Sequence, residues 1–232
     1  MEEIHACMQR RDYARAIPLL QQYLRAHPTK WNPWYLLGQA YRFTGDLVQA
    51  EAALAKSLAL NAQEPGVLLA IGIVQQLAGR YEAALISFTL ANAVDPDFHL
   101  TYNSAAYTYE KMGQLEKAQE TYELALQALF RELSRQADTR DAPEVPEIEL
   151  FGELWVDYTM QANQRFFKTV MQDGKKVLEV DTTYFSYCPQ IFAVLVSEPH
   201  YPLYLRNRAR VLKRLGRSEE AASLEGEAAH FE

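Results

Sequence analysis

The 232-residue chain is poor in cysteine and has no long apolar segment. Cys7 and Cys188 are its two cysteines and lie far apart, so we expect no disulfide framework and a reducing, cytoplasmic environment. The start, Met1-Glu2-Glu3, lacks the basic and then apolar pattern of a secretory signal. Since no run of about 18 consecutive apolar residues occurs, we expect no membrane span.

The sequence also lacks an excess of positive charge. Its 23 Lys and Arg are outnumbered by 30 Asp and Glu, which gives a formal net charge of −7. A nucleic-acid-binding surface needs concentrated basic residues, so nucleic acid is not an expected partner. We interpret the nearest approach to a basic run as a solvated helix face. It comprises Arg206, Arg208, Arg210, Lys213, Arg214 and Arg217.

Residue patterns that support catalysis or cofactor binding are missing. The phosphate-loop, dinucleotide-binding and serine-nucleophile patterns do not occur. The five histidines are scattered without metal-ligand spacing, so we expect no metal site, and we interpret His99 as a solvated loop residue. Cys7 is interpreted as a packing residue and Cys188 as a weak candidate nucleophile without a local base. We therefore expect no catalytic residue, no cofactor and no enzymatic activity.

What the sequence does contain is a pattern that recurs every 34 residues. Apolar and small residues at three- and four-residue steps share a helical face, a glycine follows, and a second such set comes after it. In the first clear copy, Gly38 leaves room for a partner helix, Gly45 suits a helix end and Asp46 can cap the next helix. The three copies are Trp34, Leu37, Gly38, Tyr41, Gly45, Ala50, Leu54 and Ser57; Leu68, Ile71, Gly72, Gly79, Ala84, Phe88, Ala91 and Pro96; and Tyr102, Ala105, Ala106, Tyr109, Gly113, Ala118, Tyr122 and Ala125.

This pattern resembles the tetratricopeptide repeat, a two-helix unit of the same length. The resemblance implies an all-α fold, a right-handed superhelical array of antiparallel helix pairs that stack because one pair cannot bury its own apolar stripe. We divide the chain accordingly. A truncated N-terminal repeat covers residues 1–30, three repeats cover 31–132, a linker covers 133–149, an irregular helical insertion covers 150–200 and a degenerate capping repeat covers 201–232.

The first and third repeats depart from the pattern. In the first, the spacing predicts a second helix over about 13–26, and it compresses the first helix into residues 2–10. Pro18 lies inside that second helix, where it is tolerated in the first turn and kinks the helix if it lies deeper. No proline closes the second helix of the third repeat, so this helix can continue to about residue 135.

The insertion before the last repeat has two interpretations. Apolar residues between Ile148 and Val170 keep helical spacing, which favours a helix. The competing interpretation takes residues 166–170 and 176–180 as two strands around Asp173-Gly174, a hairpin signal. We favour the helix because its periodicity begins well before Phe166.

In the family that the chain resembles, the first helices of successive repeats line a concave groove that holds partner segments. Spacing assigns ten residues to that face: Tyr35, Gln39, Arg42, Phe43, Leu69, Ile73, Leu77, Asn103, Tyr107 and Lys111. Some members of the family grip a carboxylate-terminated tail with Lys, Asn and Arg here. The matching places carry no cation, so that binding mode is not expected. They are Tyr35, Gln39, Leu69, Ile73, Asn103 and Tyr107.

The segment Val67–Leu77 determines the functional prediction. It is apolar on nearly all sides, and such a helix is normally covered. We favour coverage by the chain's own residues 148–171, which would leave Tyr35, Gln39, Arg42 and Tyr107 at the rim. The other occupant is a segment of another protein, which makes the chain a non-catalytic adaptor, scaffold or chaperone-like module. Two alternatives are a docking or regulatory part of an enzyme system with a site in residues 147–202, and homo-oligomerisation through the groove.

Overall fold

The computed structural model describes residues 1–138, 167–172, 175–180 and 198–229. The chain forms two compact units, residues 1–96 and 97–232. Within the described residues each unit is built mainly from paired helices, as the repeat pattern predicts, and the second unit also contains a two-stranded hairpin.

The first unit consists of helices that pair in chain order. They are α1 (Glu2–Gln9), α2 (Tyr13–Ala26), α3 (Trp31–Thr44), α4 (Leu47–Leu60), α5 (Pro65–Leu77) and α6 (Tyr81–Val94). Helix α3 packs on α4 and α5 packs on α6, while α2 against α3 and α4 against α5 join neighbouring pairs. Helices α3 and α5, the first helices of consecutive repeats, also contact each other.

The predicted turn residues end and begin these helices. Gly45 adopts a left-handed conformation with φ 87°, and the next backbone N–H, that of Asp46, donates to the carbonyl of Tyr41 over 2.9 Å. The Asp46 carboxylate then accepts from the backbone N–H of Gln49, which caps α4. In the first repeat Arg11 occupies the place of Gly45, and its φ of 59° makes it a non-glycine residue in the left-handed region.

The small residues of the pattern allow close helix packing in the first unit. A Cβ added at Gly38 would lie 2.6 Å from Leu54 Cγ, and one added at Gly72 would lie 2.3 Å from the Phe88 ring. Leu54 and Phe88 are fully buried, so each fills the space that the missing Cβ leaves. Cys7 is buried in the core around α1 and α2, which confirms its packing role.

The second unit contains two helix pairs separated by the inserted segment. They are α7 (His99–Lys111) with α8 (Leu115–Asp138), and α9 (His200–Arg214) with α10 (Ser218–Ala229). Helix α9 packs directly on α8. The stacking of repeats is therefore resumed after the insertion, and α8 runs slightly beyond the predicted end near residue 135.

The favoured helical interpretation of the insertion is wrong for residues 167–171. Strands β1 (Phe167–Gln172) and β2 (Lys175–Val180) pair antiparallel with Phe167 opposite Val180, and β2 lies beside α10. Asp-Gly between β-branched and apolar runs is a strong hairpin signal, which prevails here over the helical spacing. The remainder of the predicted helix, residues 148–166, lies outside the described residues.

Candidate functional site

Three polar side chains form a connected row along α3. Arg42 Nε donates to Gln39 Oε1 over 2.8 Å, and Gln39 Nε2 donates to the Tyr35 hydroxyl over 2.8 Å. All three side chains are half-buried. The row lies on the helix face that the sequence assigned to partner binding, and we refer to Tyr35, Gln39 and Arg42 as the donor row.

An aromatic surface adjoins the Arg42 end of this row. The Arg42 guanidinium carbon lies 4.0 Å from the centroid of the Phe43 ring, a cation–π arrangement. Phe43 in turn stacks on Tyr13 of α2, with centroids 4.5 Å apart, and it remains 52% exposed. Burial lowers the pKa of the Arg42 guanidinium, which nevertheless stays protonated at physiological pH.

The next repeat presents apolar side chains on the same face. Leu69, Ile73 and Leu77 of α5 follow Tyr35, Gln39 and Phe43 by 34 residues each. Leu69 and Ile73 are half-buried, while Leu77 is 56% exposed. None of the three belongs to the fully buried core of α5, whose buried residues include Val67, Leu68, Ala70, Gly72 and Val74. We expected α5 to be covered on all sides. The described residues instead leave Leu69 and Ile73 partly exposed and Leu77 largely exposed.

The corresponding face of α7 in the second unit meets α9 of the same unit. Asn103 Oδ1 accepts a hydrogen bond from Asn207 Nδ2 over 3.1 Å. Tyr107 is 39% exposed, and the Lys111 ammonium lies 5.0 Å from the centroid of its ring. Of the three α7 residues assigned to the groove, Asn103 is thus hydrogen-bonded to α9, while Tyr107 and Lys111 contact each other and are both exposed.

One turn further along α7, Glu110 is held by two arginines of α9. Arg210 and Arg214 each donate to its carboxylate, with closest N···O distances of 2.8 Å, and the Glu110 side chain is 9% exposed. Burial alone would raise the pKa of Glu110, but the hydrogen bonds and charges of the two arginines hold it below its usual value. This network fastens α9 to α7.

The interpretation of the basic run as a solvated face is incomplete, because most of its side chains are exposed to solvent but also form ion pairs with other helices. Besides the two arginines on Glu110, Arg208 reaches Glu123 of α8 over 3.0 Å and Lys213 reaches Glu225 of α10 over 2.7 Å. The run therefore also joins α9 to its neighbouring helices. Glu110 and Glu123 lie 85 or more residues before their arginine partners, so local charge patterning could not identify these two contacts.

His99 is not a solvated loop residue either. It is buried at the start of α7, with Nδ1 2.6 Å from the Tyr204 hydroxyl and Nε2 3.4 Å from a Glu132 carboxylate oxygen. The His200 ring lies 5.2 Å from its own ring, and His200 is hydrogen-bonded to Glu198. Burial, and then the charge of His200, lower the pKa of His99 to about 4. Tyr204 is 105 residues away in sequence, so no local signal predicts this cluster.

A second buried polar pair joins the helices of the last repeat. The Tyr201 hydroxyl of α9 donates to the Glu227 carboxylate of α10, and both side chains are buried. Burial raises the pKa of Glu227 to about 7, against the opposing effect of the Tyr201 hydrogen bond and then of the Arg208 charge. Neither residue was singled out from the sequence.

Neither a metal-ligand cluster nor a transmembrane helix occurs among the residues that the structure describes. Among them, no three His, Cys, Asp or Glu side chains converge as metal ligands. No helix in the described ranges is both long and apolar enough for a transmembrane segment. Cys188 and most of the range 147–202, where the alternative enzymatic site was expected, lie outside the described residues.

Comparison with known protein families identifies the same repeat in three places. Models described as tetratricopeptide repeat match residues 8–72, 100–128 and 202–224. The three matches fall in both units and lie on either side of the inserted segment.

Curated relatives share part of the sequence. The chain is 27% identical to Superkiller complex protein 3 of Mus musculus over 133 residues, which is 54% of this chain and 8% of that protein. It is 25% identical to Superkiller protein 3 of Schizosaccharomyces pombe over 167 residues, 70% of this chain and 12% of that protein. The chain therefore spans about a tenth of the length of these relatives.

Solved structures share the fold over nearly the whole chain. A crystal structure of MamA is similar with a TM-score of 0.60 at 15% identity, covering 100% of this chain and 95% of that one. MamA 41-end from Desulfovibrio magneticus RS-1 gives a TM-score of 0.61 at 15% identity, covering 99% and 91%. At this level of identity the likeness shows the fold alone.

Proposed function

Because the chain belongs to the tetratricopeptide repeat family, we propose that it is a non-catalytic scaffold that binds a segment of another protein along α3 and α5. Stacked helix pairs present extended surfaces of this kind, which suits them to hold partner segments. The binding surface in the first unit comprises Tyr35, Gln39, Arg42, Phe43, Leu69, Ile73 and Leu77. Taken by itself, the second unit presents a more polar face at Asn103, Tyr107 and Lys111.

The incomplete burial of the apolar face of α5 carries this proposal. Leu69 and Ile73 are half-buried and Leu77 is largely exposed, although each gains about 1.5–3 kcal/mol when fully buried. A contiguous apolar surface that stays accessible is a common mark of a binding site. The donor row and the Phe43 ring lie on the neighbouring helix and supply polar and aromatic contacts to the same segment.

The test is a selection of binding peptides by the full chain. A random peptide library displayed on phage is panned against the immobilised protein, and the enriched peptides are synthesised and titrated by fluorescence anisotropy. The double variant Leu69→Glu/Ile73→Glu introduces two charges on the proposed surface. We expect it to lose these peptides while keeping the helical circular dichroism and cooperative melting of the wild type.

A matched control is available on α6. Ile86 and Leu90 are exposed and have the same four-residue spacing, so Ile86→Glu/Leu90→Glu adds equal charge away from the proposed surface. We expect this variant to bind as the wild type does. Retained binding by Leu69→Glu/Ile73→Glu with loss in the α6 variant would move the site to α6 and overturn the proposal. Light scattering at several protein concentrations distinguishes peptide binding from self-association through the same face.

A further inference from the structure

We propose that the segment bound along α3 and α5 carries an aspartate or glutamate side chain that pairs with Arg42, beside an apolar side chain that packs on Ile73 and Leu77. This inference rests on the proposed function and specifies the chemistry of its partner. It follows from the direction of the hydrogen bonds in the donor row, from the lack of a carboxylate partner for Arg42 among the residues that the structure describes, and from the contrast with Glu110 in the second unit.

The hydrogen bonds of the donor row have a single possible direction. An arginine Nε can only donate, so the atom of Gln39 that faces Arg42 is its Oε1. This fixes the orientation of the Gln39 amide, whose Nε2 must donate to the Tyr35 hydroxyl. The Tyr35 oxygen accepts that bond, and its own proton is left to donate outward. The row therefore offers donors to a ligand: the Arg42 Nη groups and the Tyr35 hydroxyl.

Arg42 has no carboxylate partner among the residues that the structure describes. The Arg42 side chain donates a hydrogen bond to Gln39 and contacts the Phe43 ring. Burial lowers the pKa of its guanidinium, and Tyr35 and Tyr13 act in the opposite direction. A half-buried guanidinium without a counter-ion has lost part of its hydration without an ion pair to compensate. A ligand carboxylate supplies two acceptor oxygens in the geometry that the guanidinium fork prefers.

The second unit shows how the same repeat position is satisfied when its partner lies within the chain. Glu110 follows Arg42 by 68 residues, or two repeats, and is paired with Arg210 and Arg214 of the next first helix. Aligning Gly216 with Gly113 places Arg210 and Arg214 at the repeat positions of Ile73 and Leu77. At these two positions α5, the next first helix after α3, carries apolar side chains, whereas α9 carries arginines that pair with Glu110. The described residues of the first unit supply no opposite charge at these positions, and a carboxylate of the ligand would supply it.

The surroundings of Arg42 favour an acidic side chain over a chain terminus. The exposed Phe43 ring and Tyr13 lie towards α2, and Leu69, Ile73 and Leu77 lie on α5, so apolar surface adjoins the donor row on two neighbouring helices. A segment that uses both surfaces continues past Arg42 and presents a side chain to it. The first unit carries eight Lys or Arg and eight Asp or Glu, so it holds no net negative charge to repel such a ligand.

The test uses the peptides selected above and single changes on both sides of the contact. We expect the enriched peptides to share an acidic residue next to a large apolar one. Arg42→Gln should weaken binding about ten- to hundredfold, as expected for loss of a hydrogen-bonded ion pair. Asp→Asn or Glu→Gln in the peptide should produce a similar loss, and the two changes together should cost little more than either alone. Arg42→Glu should prefer a peptide in which Lys replaces the acid.

Controls separate this contact from general charge attraction. Arg25 is an exposed arginine of α2, and Arg25→Gln should leave the affinity unchanged. Amidation of the peptide's C-terminus should also have no effect, whereas a loss on amidation would assign the terminal carboxylate to Arg42 and overturn the side-chain assignment. Each Arg42 variant is checked by thermal melting, and Arg42→Lys, which keeps the charge, should recover part of the affinity.

The outcomes distinguish this inference from the proposed function. If Leu69→Glu/Ile73→Glu abolishes binding while Arg42→Gln leaves it intact, the surface binds peptides but the acidic contact does not exist. Equal losses from Arg25→Gln and Arg42→Gln would reduce the contact to net charge and overturn it as well. If the wild type enriches no peptide over the Leu69→Glu/Ile73→Glu variant, the proposed function fails, and with it this inference.

Discussion

Arg42 and Glu110 occupy the same position of the repeat in the two units, but their environments differ. In the second unit α9 brings two arginines to Glu110, so the charge is neutralised within the chain. In the first unit α5 offers apolar side chains at the corresponding positions, and Arg42 meets no carboxylate among the described residues. The neighbouring helix therefore determines whether a charge at this position of the repeat is paired within the described part of the chain.

The interiors of the two units also differ in their polarity. Helices of the first unit are brought together by glycines that face Leu54 and Phe88. In the second unit buried polar groups occupy part of the interface between helices, among them His99, Glu227 and their tyrosine partners. We therefore expect the first unit to respond to changes of side-chain volume and the second to changes of protonation.

The largest expected effect is a pH dependence that arises in the second unit. His99 has a pKa of about 4 when folded and 6.5 as the reference value, so acidification through this range favours the unfolded state by up to about 3 kcal/mol. Glu227 has the opposite effect. Its pKa rises from 4.5 to about 7, so it adds stability at low pH that is lost as the pH rises through this range. The Glu227→Gln variant should expose the acid destabilisation caused by His99.

Urea unfolding at a series of pH values measures this difference. Between pH 6.5 and 4, the free energy of unfolding of Glu227→Gln should fall more than that of the double variant Glu227→Gln/His99→Phe, by up to about 3 kcal/mol. The two variants differ only at position 99, so the titration of groups far from that position cancels between them. The titratable groups that face His99 are Glu132, Glu198, His200 and Tyr204, and all four are present in both variants. Parallel profiles of the two variants would contradict the assignment to His99.

The next largest effect is expected from a methyl group in the first unit. Gly72→Ala places a Cβ 2.3 Å from the buried Phe88 ring, so we expect a loss of about 2 kcal/mol despite the better helix propensity of alanine. A Cβ added at Gly226 in α10 would meet nothing within 4 Å among the described residues, so Gly226→Ala should instead gain about 0.5–1 kcal/mol. Thermal and urea unfolding of both variants measure the contrast, and Phe88→Leu should partly relieve the loss in Gly72→Ala. Equal effects at the two glycines would contradict it.

A smaller effect is expected at the ion-pair network. Glu110→Gln removes the charge that Arg210 and Arg214 share, and we expect a loss of about 1–2 kcal/mol, moderated because both arginines can turn to water. In this variant the backbone amide hydrogens of α9 should exchange faster than in the wild type, while those of α3 should exchange at the same rate. Glu116→Gln, an exposed position on α8, is the control and should have no measurable effect. Unchanged exchange in α9 would show that the network does not fasten this helix.

The smallest effect concerns the amide pair between α7 and α9. Asn207→Ala removes the donor to Asn103 and also the acceptor of a bond from Arg210 Nη1, and water can replace both because the site is half-buried. We expect a loss of about 0.5–1 kcal/mol in urea unfolding. A loss much larger than that of Glu110→Gln would mean that the amide pair, rather than the ion pairs, holds the two helices together.

The sequence predicted correctly those features that are determined within one repeat, and it did not predict contacts between residues that lie far apart in the chain. The repeat period located Gly45, Gly38 and Leu54 correctly because helix ends and helix pairing are set within one repeat. The hairpin of strands Phe167–Gln172 and Lys175–Val180 was the less favoured interpretation, because a short apolar segment fits both helical and extended periods. The face that includes Tyr35 and Arg42 was predicted from spacing, but the hydrogen bonds that make it a row of donors were not.

The amino-acid sequence by itself determined the repeat, its helix boundaries and the small residues that let the helices approach, because backbone hydrogen bonds and side-chain spacing act locally. Only the tertiary structure decided which charges are paired. Glu110 and Arg210 meet across 100 residues of chain, and His99 and Tyr204 across 105, because α9 returns to the stack beyond the inserted segment. Contacts of that kind depend on how repeats stack in space, and the same stacking leaves Arg42 beside an apolar helix.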